Sequence, residues 1–210
     1  MVTNMNVAIF GATGGVGTEL VRQALRLGHS VTAFARDPSP LADHADHLTI
    51  VTGDVRDPAD VARAVRGQDA VLCALGARDL KKTTIRATGT ANIIGAMKQE
   101  GVRRLIVVSA MGIGASWASL SLFNRMFFAT LLRSSRADHE AQEAVVTASG
   151  LDWTIVRPSG LVNTPGTGVY DVGENIRATT SRIPRADVAD LILTELAAGA
   201  LIHKAVTITT

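Results

Sequence analysis

The chain has one cysteine, Cys73, in 210 residues, which excludes an intramolecular disulfide and any cysteine-based zinc cluster. Within the apolar run Ala70 to Leu75, Cys73 reads as a small buried residue. Massed charge of one sign is also missing. The net charge is +2, with Lys and Arg scattered along the chain, so the electrostatic footprint of a nucleic-acid binder is not there. No segment reaches the ~20 apolar residues of a membrane-spanning helix. The nearest, Trp117 to Leu132, is interrupted by Asn124 and Arg125 and reads as a buried helix or an apolar lid. Met1 to Asn6 lacks the basic start and apolar stretch of a secretory signal, so a cytoplasmic protein with no membrane partner is expected. Neither a Pro, Gly or Ser-rich linker nor an internal repeat divides the sequence, and residues 1–210 are read as one domain.

Hydrophobic residues make up 47% of the chain and charged ones 19%, enough for a packed core. Short runs rich in Val and Ile, near 6–10, 30–35, 48–52, 69–75, 103–109, 152–157 and 204–209, alternate with helical patterns near 15–28, 58–66, 84–100, 136–149 and 186–198. Such alternation predicts a doubly wound α/β fold, a parallel sheet with helices on both faces. Asp57-Pro58 supplies a helix cap with proline in the first turn, and Arg185-Ala186-Asp187 opens the last helix just after Pro184. The longest irregular region, Ser159 to Gly173, follows a strand. Ligands of open α/β sheets lie beyond the carboxyl ends of the strands, so this stretch is a candidate substrate loop.

The first strand, Val7 to Phe10, runs straight into Gly11-Ala12-Thr13-Gly14-Gly15-Val16-Gly17, and a helical pattern follows from Thr18 to Leu27. Glycines at a strand-to-helix junction let the backbone turn tightly and approach a pyrophosphate, which free N–H groups at the helix N-terminus then hold. A second strand within about 30 residues completes the context that this motif needs. The spacing is G-x-x-G-x-x-G rather than G-x-G-x-x-G, and a ligand-free packing loop is the alternative. The second strand, Val31 to Ala35, ends in Arg36, where a guanidinium suits the 2′-phosphate of NADP; an acidic residue there would suit the ribose hydroxyls of NAD. NADP(H) is the expected cofactor. Asp37 keeps NAD open, and Arg36 as a solvated surface residue is the plainer alternative.

Taken together, Ile9 to Gly17, Arg36-Asp37-Pro38, Gly53-Asp54-Val55, Leu75-Gly76, Ala96-Met97-Lys98 and Ser149-Gly150-Leu151-Asp152 resemble the atypical short-chain dehydrogenase/reductases. The resemblance spans almost the whole chain and is strongest to the flavin reductase, or biliverdin-IXβ reductase, branch. It implies an NAD(P)-binding Rossmann fold. Gly11, Thr13, Gly14, Gly15 and Val16 would wrap the pyrophosphate and Arg36 would meet the 2′-phosphate. Asp54 and Val55 would flank the adenine, and Leu75, Gly76 and Arg78 would lie beside the cofactor. Read as ordinary residues, Gly76 is a turn glycine and Asp54 a turn cap.

The best-known enzymes of this superfamily use a Tyr with a Lys four residues later as a proton relay. The chain's one tyrosine is Tyr170, with Glu174 where that Lys would stand, and register from the following helix puts Ser135 and His139 at the equivalent positions. Hydride transfer to a flavin or quinone needs mainly a stacked acceptor at near-attack distance, with the proton taken from water or a weak donor. Ser109, at the end of the strand Arg104 to Val108, is placed for the nicotinamide pocket, and the resemblance makes it the polar active-site residue; a serine closing a turn is the alternative. No Ser-His-Asp arrangement and no G-x-S-x-G elbow is signalled. His139 lies in a polar helix start, where an imidazole can supply a proton, although a solvated helix face is the commoner setting. Pro158 and Ser159 follow the sixth strand and are candidate cofactor-binding residues; the resemblance leads one to expect a His after the Pro, and Ser159 departs from it.

His44 and His47, near Asp43 and Asp46, read as solvated surface, and no metal site is expected. The apolar stripe Leu120, Leu122, Phe123, Met126, Phe127, Phe128, Leu131 and Leu132 reads as core, subunit contact or the wall of an acceptor pocket. The pocket is expected from about 110–135 and 158–185. The function that fits is an NADPH-dependent oxidoreductase reducing a conjugated small molecule, with flavin as substrate rather than bound cofactor, in a monomer or weak homodimer. A non-catalytic NADP(H) sensor of the NmrA-like type is the competing reading. A sugar-nucleotide epimerase or dehydratase is a third, weakened by the short chain and the missing Tyr/Lys pair.

Overall fold

A computed structural model describes residues 4–41, 47–76, 84–113, 133–174, 176 and 182–210. The expected alternation is present. Strands β1 (Asn6–Phe10), β2 (Ser30–Ala35), β3 (Leu48–Thr52), β4 (Ala70–Cys73), β5 (Arg104–Val108), β6 (Asp152–Pro158), β8 (Asp171–Gly173) and β10 (Lys204–Thr209) form one eight-stranded sheet in the order β3-β2-β1-β4-β5-β6-β10-β8. Every pair in it is parallel except β10 with β8 at the edge. This is a Rossmann-type doubly wound sheet. Its order reverses between β1 and β4, the switch point where a crevice opens.

The helices are α1 (Gly15–Arg26), α2 (Pro58–Val65), α3 (Ile85–Glu100), α4 (Arg133–Thr147) and α5 (Arg185–Ala198). The period of two along β1 shows why three layers form. Val7 and Ile9 join one buried cluster with Leu20 and Val21 of α1 and Ile192 of α5. Ala8 and Phe10 join another with Val61 of α2, Ile93 and Met97 of α3 and Val146 of α4. Val7 through Phe10 have no exposed surface, as a central parallel strand covered on both faces requires. Asp57 caps α2 as its sequence predicts, its carboxylate accepting from the Ala59 amide at 2.9 Å with Pro58 behind it.

Two expectations need correction. The polar helix begins at Arg133 rather than near 136. The stretch read as irregular, Ser159 to Gly173, contains β7 (Gly160–Val162) and β8; β7 pairs in parallel with β9 (Arg182–Pro184) to form a separate two-stranded sheet. Three-residue strands are too short to show a period. What anchors this region is Asp187, buried in the first turn of α5. Its carboxylate accepts from the Thr167 amide (2.8 Å), the Thr167 hydroxyl (3.0 Å) and the Gly168 amide (3.0 Å).

Candidate functional site

The glycine loop stands at the switch point. Gly11 holds φ +78, and an added Cβ there would run into the Ala74 carbonyl beyond β4, so the two crossing loops touch backbone to backbone. Gly17 packs against the Gly11 carbonyl as closely, and the Gly14 amide donates back to that carbonyl at 2.9 Å. The result is a tight turn ending at Gly14, the N-cap of α1. That helix has no side-chain cap and no acidic residue in its first turn, and Gly14 and Gly15 are exposed. First-turn amides have no intrahelical acceptor and sit at the positive end of the dipole. With glycine at 11, 14, 15 and 17 and no side-chain cap on α1, the cradle fits a pyrophosphate. Gly11, Thr13, Gly14, Gly15 and Val16 all lie on it.

Arg36 is exposed just past β2, close enough for its charge to act on Asp54. Asp37, the residue that kept NAD open, turns back on its own chain and accepts from the Ser39 amide at 3.1 Å. Asp54 is gripped by Arg56, whose Nε donates at 3.0 Å and whose amide donates at 2.9 Å. These bonds hold the Asp54 carboxyl down at about 2, well below the usual range. Val55 and Leu75 meet over Gly89 of α3, where a Cβ would stand 2.8 Å from Leu75 Cδ1 and 2.9 Å from Val55 Cγ1. The two strand-end residues thus form one apolar wall. Gly76 is exposed, and no atom of the described residues stands where its side chain would be. Arg78 lies outside the described residues, as do the segment 114–132 with its apolar stripe and the group Asp43, His44 and Asp46. Among the described residues no cluster of three or more His, Cys, Asp or Glu is arranged to hold a metal.

Beyond β5 the chain brings together two residues that are 30 positions apart. The Ser109 hydroxyl lies 3.4 Å from His139 Nδ1 of α4, with both side chains buried. The Ser109 amide donates to the Val156 carbonyl at 2.8 Å, which extends the β5–β6 pairing and fixes the serine. The expectation of a solvated His139 is wrong: it is 8% exposed. Burial pushes its pKa down to about 4, aided by the Arg86 charge and opposed by Asp138 and by a hydrogen bond with Gln142. The imidazole is therefore neutral at pH 7. Pro158 ends β6 and its carbonyl accepts from the Met111 amide at 2.9 Å, while the Ser159 amide donates to Ile208 at 3.0 Å. Ser159 Oγ is buried with no hydrogen-bond partner among the described residues.

What holds His139 was not visible as function in the sequence. Asp138, read there as part of a polar helix start, is 3% exposed. Its carboxylate caps α3 from outside, accepting from the amides of Arg86 (3.2 Å) and Ala87 (3.0 Å) and pairing with the Arg86 guanidinium at 3.3 Å. One turn further along α4, Glu143 takes a two-pronged hydrogen bond from Arg157 of β6, at 2.9 and 2.6 Å. Gln142 donates to Thr90 of α3 at 3.0 Å, and Thr90 lies 3.6 Å from Cys73 Sγ. The fully buried Cys73 has its thiol pushed up by burial, which makes it inert. Paired Asp, Glu and Arg can be this buried, and nothing local in α4 distinguishes them from a solvated face. Tyr170 is no relay tyrosine: its hydroxyl donates to Asp190 at 2.7 Å, and burial and that carboxylate both push its pKa up.

Sheet order, switch-point crevice and glycine cradle define a Rossmann-type dinucleotide-binding protein. A family model described as NAD(P)H-binding matches residues 11–198, and the chain belongs to that NAD(P)H-binding family. It is 34% identical over 182 residues to an uncharacterised chloroplastic protein of Arabidopsis thaliana, covering 80% of this chain and 63% of that one. It is 29% identical over 199 residues to an uncharacterised sugar epimerase, YhfK, of Bacillus subtilis, covering 91% and 88%. Among solved structures, ChuY, an anaerobillin reductase from Escherichia coli O157:H7, superposes with a TM-score of 0.82 at 27% identity, over 97% of this chain and 96% of that one. A short-chain dehydrogenase/reductase from Veillonella parvula in complex with NADP reaches 0.85 at 21% identity, over 99% and 95%, a likeness of fold. Among the described residues no helix is long and apolar enough to cross a membrane.

Proposed function

We propose that this protein is an NADPH-dependent reductase that passes hydride to a flat conjugated acceptor, a flavin, a quinone or a similar molecule, bound as substrate. The observation that carries this reading is the buried Ser109–His139 pair at 3.4 Å beyond β5, with the imidazole held neutral and no tyrosine relay beside it. NADPH, when bound, supplies the hydride. Ser109 offers its hydroxyl to the nicotinamide carboxamide or to the acceptor, and His139 orients that hydroxyl. With its pKa near 4, His139 carries a proton in only about one molecule in a thousand at pH 7, so it does not serve as a stored acid. Acceptors whose reduced form takes its proton from water suit such a site.

NADPH is favoured over NADH because Arg36 is exposed at the end of β2 while Asp37 is engaged with Ser39. The name of ChuY agrees with a reductase. The name of YhfK points instead to sugar epimerisation; the commitment of Tyr170 to Asp190 favours the reductase. The test is titration with NADPH and NADH, followed by steady-state oxidation of NADPH with FMN, riboflavin and quinones. Tighter binding of NADPH and turnover with at least one acceptor are expected. Tight binding without turnover across the panel would replace this reading with that of an NADP(H) sensor.

A further inference from the structure

Arg185 opens α5, yet its side chain reaches the glycine loop. A Cβ placed on Gly15 would stand 2.5 Å from Arg185 Nε and 2.6 Å from its Cδ. Its guanidinium also donates to Asn163 Oδ1 at 2.6 Å, which fixes it from the segment after β7. The two helices are tied together there, because Gln23 Nε2 of α1 donates to the Ala186 carbonyl at 2.9 Å. The cation therefore sits beside the positive end of α1, whose first turn carries no acidic residue, and at the positive end of its own helix. For stability this is the wrong end of a helix for a cation; its partner Asn163 is neutral, and Asp187 in the first turn of α5 is engaged by the Thr167 and Gly168 amides. An anion placed between the guanidinium and the α1 amides turns the unfavourable arrangement into a favourable one.

We propose that Arg185 is a pyrophosphate ligand of the bound dinucleotide, closing over the glycine cradle from the C-terminal half of the chain. A planar guanidinium takes two phosphate oxygens in parallel, which a lysine ammonium does not. Because Asn163 belongs to the stretch expected to form the substrate loop, Arg185 links the phosphates to that loop. The proposal rests on the dinucleotide reading of the cradle. Two ligands separate the contributions: NADPH, followed by its fluorescence, and adenosine 2′-monophosphate, which keeps the adenine and the 2′-phosphate but has no pyrophosphate. In R185A the affinity for NADPH should fall about tenfold and its salt dependence should flatten, while adenosine 2′-monophosphate binds as to the wild type. R185K should recover part of the NADPH loss. Unchanged NADPH affinity in R185A, or equal losses for both ligands, overturns the proposal. If R185A does not fold, R185K decides, and wild-type NADPH affinity in it overturns the proposal. A wild-type chain that binds neither NADPH nor NADH overturns the nucleotide reading itself, and this one with it.

Discussion

At the cofactor end, seven consecutive residues, Gly11 to Gly17, carry the geometry, and the turn itself is set by contacts between backbone atoms at Gly11, Gly14 and Gly17. At the proposed acceptor end, Ser109 and His139 come from different elements and meet at 3.4 Å, with α4 tied to α3 by Asp138–Arg86 and to β6 by Glu143–Arg157. The first region leaves room for a ligand by omitting the loop's own side chains. The second assembles its surface from side chains whose burial depends on compensating charges. Damage to the two ends should therefore look different: steric and local at the loop, electrostatic and distributed at the pair.

The largest effect is expected from Gly17→Ala. Its Cβ would overlap the Gly11 carbonyl, with Ala12 Cα only 2.9 Å away. Backbone on both sides has nowhere to move, so a loss of about 3 kcal/mol or more in urea unfolding and loss of dinucleotide binding should follow. Glu143→Gln comes next. It leaves the Arg157 guanidinium, 8% exposed at the side chain, without its counter-charge, and about 3 kcal/mol of stability should go with it. In variant protein kept below its unfolding midpoint, turnover should fall while NADPH affinity stays within about twofold of wild type. A matching loss of cofactor affinity would break the separation of the two ends.

His139 gives a smaller, pH-dependent effect. Its folded pKa of about 4 lies below the ~6.5 of an unfolded chain, so between those values the unfolded state binds more protons and acid favours unfolding. The stability of the neutral buried imidazole is complete above about pH 6.5 and is lost as pH falls toward 4. Relative to His139→Gln, the wild type should lose roughly 2–3 kcal/mol between pH 7.5 and pH 4.5; parallel profiles would contradict the buried placement. Smallest of all is Gly76→Ala, a glycine of the cofactor end whose Cβ would meet no atom of the described residues. It should change stability by less than about 0.5 kcal/mol, showing that close approach of backbones, rather than glycine content, makes the loop.

The cofactor end was legible because its signals are contiguous: an apolar strand, glycines at fixed offsets, a helix, and Arg36 at the end of the next strand. The α/β alternation and the Asp57-Pro58 cap were legible for the same reason. The setting of His139 was not. Asp138 and Glu143 look like a solvated helix face until Arg86 and Arg157 are folded against them, and those partners are 52 and 14 positions away. Ser109 could be placed at a strand end from sequence, but its meeting with His139 depends on how α4 crosses the sheet. Arg185 read only as the start of a helix, since nothing local says that its side chain crosses to Gly15.

We propose that hydride leaves NADPH at the Ser109–His139 end of the crevice without an enzymic acid. It is tested most directly by single-turnover reduction of FMN or a quinone, comparing NADPH with NADPH deuterated at nicotinamide C4, in wild type and Ser109→Ala. The expected results are a primary isotope effect on acceptor reduction, a rate that varies little between pH 6 and 8, and a slower step in Ser109→Ala with NADPH binding retained. NADPH bound tightly but never oxidised by any flavin or quinone, or a Ser109→Ala rate equal to that of the wild type, would contradict it.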